Sequence, residues 1–349
     1  MSWSPCSIIY AAAVSSTGRE RVAAALRLDR ADRPPVGAWG HSYDREWSPA
    51  DLSATTLAIA RRCELDFVKL QVRATCFAEA FGAEWRYSGS ASSGPVMRQA
   101  GGEDVNAWRR IAGSEPERGV LSEQVGVIAA VAGELGPDTP CLQTVFSPGM
   151  VAWYLAGRDL GRLLGLLRDE PGLMAAGLRL IADTLAWFSR ESLAAGAAGV
   201  FYAINPLADA VAVSPETYRA ALLPHDHAAL AGAQAGWFNM LHLCGPRLNA
   251  SLIAALRLHC VNWSIHDEGN PGLAELRDRE RVAVVGGLHR EHPIRTGSVQ
   301  AVREEAAAAL RATGGRGHVQ SPGCSVSPWP ADHEESIRAL AEVAADSRT

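Results

Sequence analysis

The chain of 349 residues has no hydrophobic run long enough to cross a membrane. A membrane-spanning helix needs about 18 to 20 consecutive apolar residues, and the nearest candidate, residues 7–14, is far shorter. The first ten residues also contain no lysine or arginine, with which a secretory signal peptide begins. We therefore expect no membrane partner and a loosely ordered N-terminal extension over residues 1–17.

Clusters of basic residues are also missing. The 33 Lys and Arg residues are outnumbered by 38 Asp and Glu, the formal net charge is −5, and there is no Lys/Arg-rich run. A surface that binds nucleic acid needs positive charge to contact phosphates, so we expect no nucleic-acid partner. Low-complexity tracts and sequence repeats are absent, which excludes solenoids and propellers. The composition, 48% hydrophobic and 20% charged, is that of a globular protein with a large core.

Seven cysteines are scattered along the chain, at positions 6, 63, 76, 141, 244, 260 and 324. An odd number without regular spacing is not the pattern of a disulfide framework in a secreted protein. We therefore predict a cytoplasmic protein whose thiols are free for packing or for metal binding.

Short apolar segments alternate with longer helical segments. The eight predicted strands cover residues 35–40, 67–72, 141–146, 199–204, 238–243, 261–265, 282–288 and 317–321. Helical spacing of apolar residues is found at 55–63, 173–195, 215–235 and 298–313. This alternation predicts an α/β fold, a (β/α)8 TIM barrel, although a doubly wound open sheet also fits it. We predict a single barrel domain over residues 18–349, with residues 87–138 as an insertion between strands 2 and 3.

Two helix starts are marked in the sequence. Ser48-Pro49 and Ser214-Pro215 each place a hydroxyl before a proline. The hydroxyl can accept a hydrogen bond from an unpaired amide of the first turn, and proline fits the first helical position. We expect helices to begin at both places.

Two predicted strands end on residue types that bind metals. The strand 238–243 contains His242 and is followed by Cys244, and the strand 317–321 is followed by Cys324. Active sites of barrels lie at the C-terminal ends of the strands, so these side chains should share one rim. One imidazole and two thiols suit Zn²⁺ at a site with an open fourth position. Buried cysteines are also common packing residues, and the residue types alone leave both explanations open.

Four segments carry a family pattern. They are residues 19–35, ending in Asp-Arg-Pro-Pro, residues 65–69 (Leu-Asp-Phe-Val-Lys), residues 81–84 (Phe-Gly-Ala-Glu), and residues 313–317 leading into Ser-Pro-Gly-Cys at 321–324. Over residues 18–345 the chain resembles the uroporphyrinogen decarboxylase superfamily. Its His-x-Cys with a distant Cys resembles the zinc signature of the methylcobalamin:coenzyme M methyltransferase branch. The resemblance implies a (β/α)8 barrel in which His242, Cys244 and Cys324 bind zinc.

The chain departs from uroporphyrinogen decarboxylases proper in two places. Those enzymes resemble one another in an Arg-Gln-Ala-Gly-Arg-Tyr segment after the first strand and an Asp after the second. In this chain the first place, residues 40–45, reads Gly-His-Ser-Tyr-Asp-Arg, and the second, residues 71–74, reads Gln-Val-Arg-Ala. Porphyrin decarboxylation is therefore disfavoured. The chain also has no Asp-x-His-x-x-Gly corrinoid motif, so a corrinoid, if one is used, would arrive on a partner protein.

The donor set itself favours chemistry at sulfur. Zn²⁺ with two thiolates and one neutral imidazole carries no net charge, and a substrate thiol bound as a thiolate would bring the site to −1 and stay electron-rich. The same thiolate ligands weaken the Lewis acidity that a hydrolytic site needs. The set therefore favours alkylation or cleavage at sulfur over hydrolysis.

Further polar residues follow the predicted strands and complete the candidate site. Those with an expected catalytic or ligand-orienting role are Tyr202, His266 and Asp267, and those expected to bind substrate are His41, Arg45, Asn205 and His289. Each has a structural alternative. Tyr202 fits a packed core aromatic, His266 and Asp267 fit a solvated charge cluster, and the basic residues fit exposed loops.

The leading hypothesis is a zinc-dependent methyl- or alkyltransferase that activates a small thiol and alkylates its sulfur. The donor would be a corrinoid protein or a small molecule, and the expected partners are the thiol, a corrinoid protein as one candidate donor, and a second copy of the chain as a homodimer candidate. The alternatives are a cofactor-independent decarboxylase or lyase acting on a small carboxylate, and a non-catalytic barrel that binds a metal or a corrinoid partner.

Overall fold

The computed structural model describes residues 16–116, 118–329 and 334–346, so the predicted extension over residues 1–17 lies almost entirely outside the described residues. The strands are β1 (Val68–Leu70), β2 (Glu84–Arg86), β3 (Val96–Gln99), β4 (Cys141–Phe146), β5 (Gly199–Ile204), β6 (Met240–Leu243), β7 (Cys260–Asn262), β8 (Ala283–Leu288) and β9 (His318–Pro322). Seven of them form one sheet in the order β1-β4-β5-β6-β7-β8-β9. Every neighbouring pair is parallel. The fold is an α/β fold with a curled parallel sheet of the TIM-barrel type.

Helices occupy the connections between the strands. They are α1 (Gly18–Leu26), α2 (Pro49–Arg62), α3 (Cys76–Glu79), α4 (Val105–Ala112), α5 (Gly119–Leu135), α6 (Pro148–Leu155), α7 (Leu160–Asp169), α8 (Pro171–Ala194), α9 (Pro215–Ala221), α10 (Leu223–Leu230), α11 (Ser251–Leu256), α12 (Leu273–Glu280), α13 (Val299–Thr313) and α14 (Glu334–Asp346). None of the described helices is both long and apolar enough to span a membrane.

Both marked helix starts are confirmed. The Ser48 hydroxyl accepts a hydrogen bond from the Asp51 amide at the start of α2. The Ser214 hydroxyl accepts one from the Thr217 amide at the start of α9. The helical segment predicted over residues 215–235 is divided into α9, α10 and a short 3-10 turn. The division falls beside Pro224, which has no N–H with which to continue the hydrogen bonding of α9.

The first predicted strand, residues 35–40, is reduced to one bridge. Val36 pairs with Gln320 of β9, and its carbonyl accepts a hydrogen bond from the Asp66 amide, two residues before β1. This segment therefore contacts both edges of the seven-stranded sheet without forming an eighth strand. The reason is local, because Pro34 and Pro35 have no N–H to donate to a ladder.

The connection from β1 to β4 contains α3, the antiparallel pair β2 and β3, α4 and α5. The last helix, α5, packs against α2, α8 and β4 in the manner of an ordinary barrel helix. The status of residues 87–138 as an insertion into the barrel stays a prediction.

The two faces of the sheet have different roles. In parallel strands, paired residues point to the same face and neighbours along a strand alternate. Ala203 of β5 pairs with His242 of β6, and the rings of Phe201 and His242 stack with centroids 5.0 Å apart. Phe201, Ala203 and His242 thus share one face, which we call the inner face. Tyr202 lies on the outer face, where its hydroxyl contacts α10.

Candidate metal centre

The three predicted metal ligands converge at the C-terminal end of the sheet. His242 lies on β6, Cys244 follows this strand directly, and Cys324 follows β9. The sulfurs of Cys244 and Cys324 are 3.4 Å apart, and Cys324 Sγ is 3.5 Å from His242 Nε2. All three ligand atoms lie within 4.8 Å of one another. Both cysteines are free thiols, since a disulfide needs sulfurs about 2.05 Å apart.

The His242 ring is oriented by a buried amide. His242 Nδ1 is 2.6 Å from Asn262 Oδ1, and the Asn262 amide donates to the carbonyls of Val285 and Pro322. These two acceptors identify the nitrogen end of the Asn262 side chain, so its oxygen must accept a hydrogen bond from Nδ1–H. Nε2 is then left with its lone pair directed at the sulfurs, the tautomer that a metal ligand needs.

The two sulfurs share a proton unequally. The hydrogen bond from Cys244 lowers the pKa of Cys324 well below the ordinary thiol value, with further help from His242 and Arg290. The same contact with Cys324, together with burial, raises the pKa of Cys244. The contact therefore favours the thiolate form of Cys324, and thiolate is the form of cysteine that binds metals.

Arg290 and Asp267 lie beside the sulfurs. Arg290 Nη1 is 3.9 Å from Cys244 Sγ and 3.7 Å from Asp267 Oδ2. Asp267 Oδ2 is buried and has no hydrogen-bond partner among the described residues. Of the residues predicted to act after β7, Asp267 is thus next to the cluster, and it holds a guanidinium there. Its catalytic role stays a prediction.

His266 and His289 form a separate group at the same rim. His266 Nε2 is 3.2 Å from Glu305 Oε1 on α13, and its ring meets that of His289 edge-on with centroids 5.3 Å apart. His289 Nδ1 accepts hydrogen bonds from the amides of Glu291 and His292. The His266 imidazole therefore contacts Glu305 and the His289 imidazole contacts the turn that follows it, and the predicted roles of both stay predictions.

His41 belongs to a buried polar chain, whereas its predicted companion Arg45 does not. His41 Nδ1 is 2.7 Å from Glu46 Oε1, and His41 Nε2 is 2.9 Å from Gln71 Nε2. Arg45 pairs with its neighbour Asp44 and its side chain is 54% exposed. The structure therefore brings His41 into the interior and leaves Arg45 near the surface.

Tyr202 does not join the metal cluster. Its hydroxyl donates to Asp226 Oδ1 at 2.6 Å, and Tyr218 donates to the other oxygen at 2.7 Å. All three side chains are completely buried. The geometry matches the structural alternative, a packed core aromatic, because Tyr202 is one position out of phase with Phe201 and Ala203. Asn205 follows β5, and its buried Oδ1 has no hydrogen-bond partner among the described residues.

Sequence reasoning missed Lys69, which is only 4% exposed on β1. Its ammonium donates to Gln71 Oε1 at 2.5 Å and lies 4.6 Å from the centroid of the Phe201 ring. Burial lowers the pKa of Lys69 to about 7, while the charges of Cys324 and Glu46 act to raise it. The sequence did contain a clue, because Lys69 lies inside a predicted apolar strand, and a lysine is almost never fully buried unless it has a partner. Asn262 and Arg290 also belong to the surroundings of the cluster.

A cleft at the opposite end of the strands holds none of the predicted site residues. Its volume is about 850 Å³, and its lining includes Cys141 at the start of β4, Ala198 just before β5, Arg19 and Trp237. The rest of the lining is mostly alanine and glycine. The predicted metal ligands therefore lie at the C-terminal rim and not in this cleft.

Together, a parallel α/β barrel fold and a His-Cys-Cys cluster at its C-terminal rim define the class of protein. The family model described as uroporphyrinogen decarboxylase (URO-D) matches residues 17–346. The chain belongs to this family. No curated protein matches the chain.

Solved structures share the fold at low sequence identity. A methyltransferase from Methanosarcina mazei superposes with a TM-score of 0.76 at 20% identity, covering 95% of this chain and 99% of that one. A B12-independent methionine synthase from Shewanella sp. W3-18-1, in complex with selenomethionine, gives 0.52 at 13% identity over 90% and 92% of the two chains. A putative vitamin-B12 independent methionine synthase from Listeria monocytogenes gives 0.55 at 15% identity over 90% and 96%.

Proposed function

We propose that this protein is a zinc-dependent transferase that moves a methyl or other alkyl group to the sulfur of a small thiol. The observation that carries the proposal is the convergence of His242 Nε2, Cys244 Sγ and Cys324 Sγ within 4.8 Å at the rim of the sheet. Proteins that share the fold include a methyltransferase and two methionine synthases, which favours methyl transfer as the reaction class.

The residues present fit a zinc ion. Two Zn–S bonds of about 2.3 Å at a tetrahedral angle place the sulfurs about 4 Å apart, and the 3.4 Å between Cys244 and Cys324 needs little adjustment. The His242 tautomer leaves Nε2 free, and Cys324 is already inclined to be a thiolate. Three protein ligands leave the fourth position of a tetrahedral ion for a substrate.

When bound, zinc would supply a site at which a thiol loses its proton yet keeps a nucleophilic sulfur. The chain's own residues prepare this site. Asn262 holds the His242 ring through Nδ1, and Arg290 places a positive charge beside Cys244. That charge offsets the negative charge that a third sulfur would add, and so favours the binding of the substrate as a thiolate.

The methyl donor is proposed as a corrinoid protein or a small molecule. The alternative, a cofactor-independent decarboxylase or lyase, gives the close approach of Cys244 and Cys324 no part in the reaction. A non-catalytic binding barrel would bind metal without turning over. The three hypotheses therefore differ in metal content and in the fate of an added thiol.

The test begins with elemental analysis of the purified protein, for which we expect about one zinc per chain. Zinc-loaded protein is then given methylcobalamin with mercaptoethanol, mercaptopropionate or homocysteine, and the thioether is measured by mass spectrometry. We expect a zinc-dependent product with at least one thiol, and no product from Cys244→Ser. Full activity on a small carboxylate in metal-free protein and in Cys244→Ser would establish the decarboxylase alternative instead.

A further inference from the structure

Lys69 is a buried cation with few partners. Among the residues that the structure describes, its Nζ has one hydrogen-bond acceptor, Gln71 Oε1, and no carboxylate partner. An ammonium group has three N–H donors, and an unpaired charge inside a protein is costly unless it can become neutral. Burial therefore favours the neutral amine, which can accept a proton.

The hydrogen bonds beyond Lys69 run in one direction. Gln71 Oε1 accepts from Lys69 and from the Ser325 hydroxyl, so the Gln71 amide nitrogen faces His41 Nε2 and donates to it. His41 then donates from Nδ1 to Glu46 Oε1. This series of hydrogen bonds ends on the Glu46 carboxylate, which is 2% exposed, and it fixes the position of Gln71. Gln71 in turn holds the Lys69 ammonium through one of its three N–H groups.

Lys69 shares neighbours with two of the proposed metal ligands. Its ammonium lies 4.6 Å from the centroid of the Phe201 ring, which stacks on the His242 ring with centroids 5.0 Å apart. Ser325, which follows Cys324 directly, shares the Gln71 acceptor with Lys69. The charge of Cys324 acts to raise the pKa of Lys69, against the effect of burial. A change of charge at the cluster therefore alters the proton affinity of Nζ.

We propose that Lys69 takes up the proton that the substrate thiol loses when it binds at the cluster. The S–H bond breaks, its electron pair stays on sulfur, and the proton adds to the neutral Nζ to give an ammonium. No other reactant is needed. This inference rests on the proposed function, because it requires a thiol to bind as a thiolate.

Electrostatic interactions couple the binding of the thiolate to the protonation of Lys69. The charged groups of the described residues that act on Lys69 are Cys324 and Glu46, and both favour the ammonium. His41 reaches it only through Gln71, and His242 only through Phe201. A bound thiolate adds one more negative charge nearby, which draws a proton onto Nζ. Thiol binding and protonation of Lys69 should thus occur together.

The experiment counts protons released on thiol binding. Zinc-loaded protein is titrated with mercaptoethanol, which carries no other titrating group, by calorimetry in two buffers that differ in ionisation enthalpy. A thiol has a pKa of about 8.5, so it is largely protonated at both pH 6 and pH 8. At pH 6 Lys69 already carries its proton, and the wild type should release about one proton per site. At pH 8 Lys69 is mostly neutral, and the release should fall close to zero.

Two variants separate proton uptake from a structural role. Lys69→Met has no amine, and Lys69→Arg keeps the positive charge but cannot deprotonate. Each should release nearly one proton at both pH values, with a zinc content equal to that of the wild type. Lys69→Arg provides the test if Lys69→Met does not fold. If the wild type and both variants release equal numbers of protons at pH 8, the proposed role of Lys69 is wrong but the proposed function stands. If the zinc-loaded wild type binds no thiol, the proposed function is wrong as well.

Discussion

Two clusters of polar groups lie on opposite faces of the same sheet. The outer cluster consists of Tyr202, Tyr218 and Asp226, and both carboxylate oxygens there accept a tyrosine hydroxyl at 2.6 and 2.7 Å. The inner cluster consists of His242, Cys244, Cys324 and Lys69. The His242, Cys244 and Cys324 ligand atoms lie within 4.8 Å of one another and still have lone pairs that can bind a metal ion. Lys69 has one hydrogen-bond acceptor among the described residues.

The two clusters differ in whether their polar groups already bond one another or can still bind a ligand. Buried polar groups that satisfy each other stabilise a fold and leave nothing to bind a ligand. Groups that converge and remain incompletely bonded cost stability, and a bound ligand can recover that cost. The outer cluster is therefore expected to govern stability and the inner cluster to govern binding. Each prediction below would fail if the outer cluster governed binding and the inner cluster governed stability.

The largest effect is expected from Cys324→Ala. Removing one of three ligands from a tetrahedral site should abolish stoichiometric zinc binding, because His242 and Cys244 alone leave the ion half-coordinated. Zinc content after dialysis, measured by elemental analysis, checks this. Cys141→Ala, at the far end of β4, is the matched control and should keep about one zinc. Equal zinc in the two variants would move the metal site elsewhere.

The second effect concerns pH and the outer cluster. Burial raises the pKa of Asp226 to about 7, although both tyrosine hydroxyls act to lower it. The folded state then holds this proton more tightly than the unfolded state, whose pKa is near 3.8. The stabilisation is complete below pH 4 and is lost as the pH rises through 7, by about 4 kcal/mol in free energy of unfolding.

Denaturant unfolding of metal-free protein between pH 4 and pH 8 measures that loss. Asp226→Asn cannot ionise and should flatten the profile over the same interval, while binding zinc like the wild type. A wild-type profile that rises steadily from pH 4 to pH 8, in parallel with that of Asp226→Asn, would contradict the prediction.

The third effect is a weakening of zinc binding in Asn262→Leu. This change removes the acceptor that fixes the His242 tautomer, and losses of such partners reduce metal affinity about 10- to 100-fold. Competition with a chromophoric chelator measures the affinity. Asn262→Asp keeps an oxygen facing Nδ1 and should bind zinc more tightly than Asn262→Leu. An affinity unchanged in Asn262→Leu would mean that the ring is held by packing alone.

The smallest effect is expected from Tyr202→Phe. It removes one donor from a buried carboxyl group and should lower the free energy of unfolding by about 1–3 kcal/mol. Thiol affinity and zinc content should stay at the wild-type values, because the hydroxyl faces α10 and not the inner cluster. Tyr218→Phe should behave in the same way. A selective loss of thiol affinity in Tyr202→Phe would instead support the catalytic or orienting role predicted for Tyr202 from the sequence.

Much of the fold follows from the sequence. Seven of the eight predicted strands are present in the sheet, because a short apolar run bounded by helical segments is a strong local signal. The strand at residues 35–40 fails as a ladder because Pro34 and Pro35 cannot donate hydrogen bonds. Residues 215–235 are divided at Pro224 for a related reason. The prolines that cause both differences are visible in the sequence, but their effects on the strand and the helix became clear only in the structure.

The sequence by itself also placed His242, Cys244 and Cys324 on one rim, since the C-terminal ends of parallel strands always meet at the same edge. It could not decide which face Tyr202 occupies. The segment Gly-Val-Phe-Tyr-Ala-Ile is buried on both sides and has no polar alternation from which the phase could be read. A shift of one residue exchanges the faces, and only the register with β4 and β6 settles it. The tertiary structure likewise decided that Lys69, far from the triad in sequence, shares the inner face of the sheet with Phe201 and His242, because the registers of β1, β4, β5 and β6 align these residues.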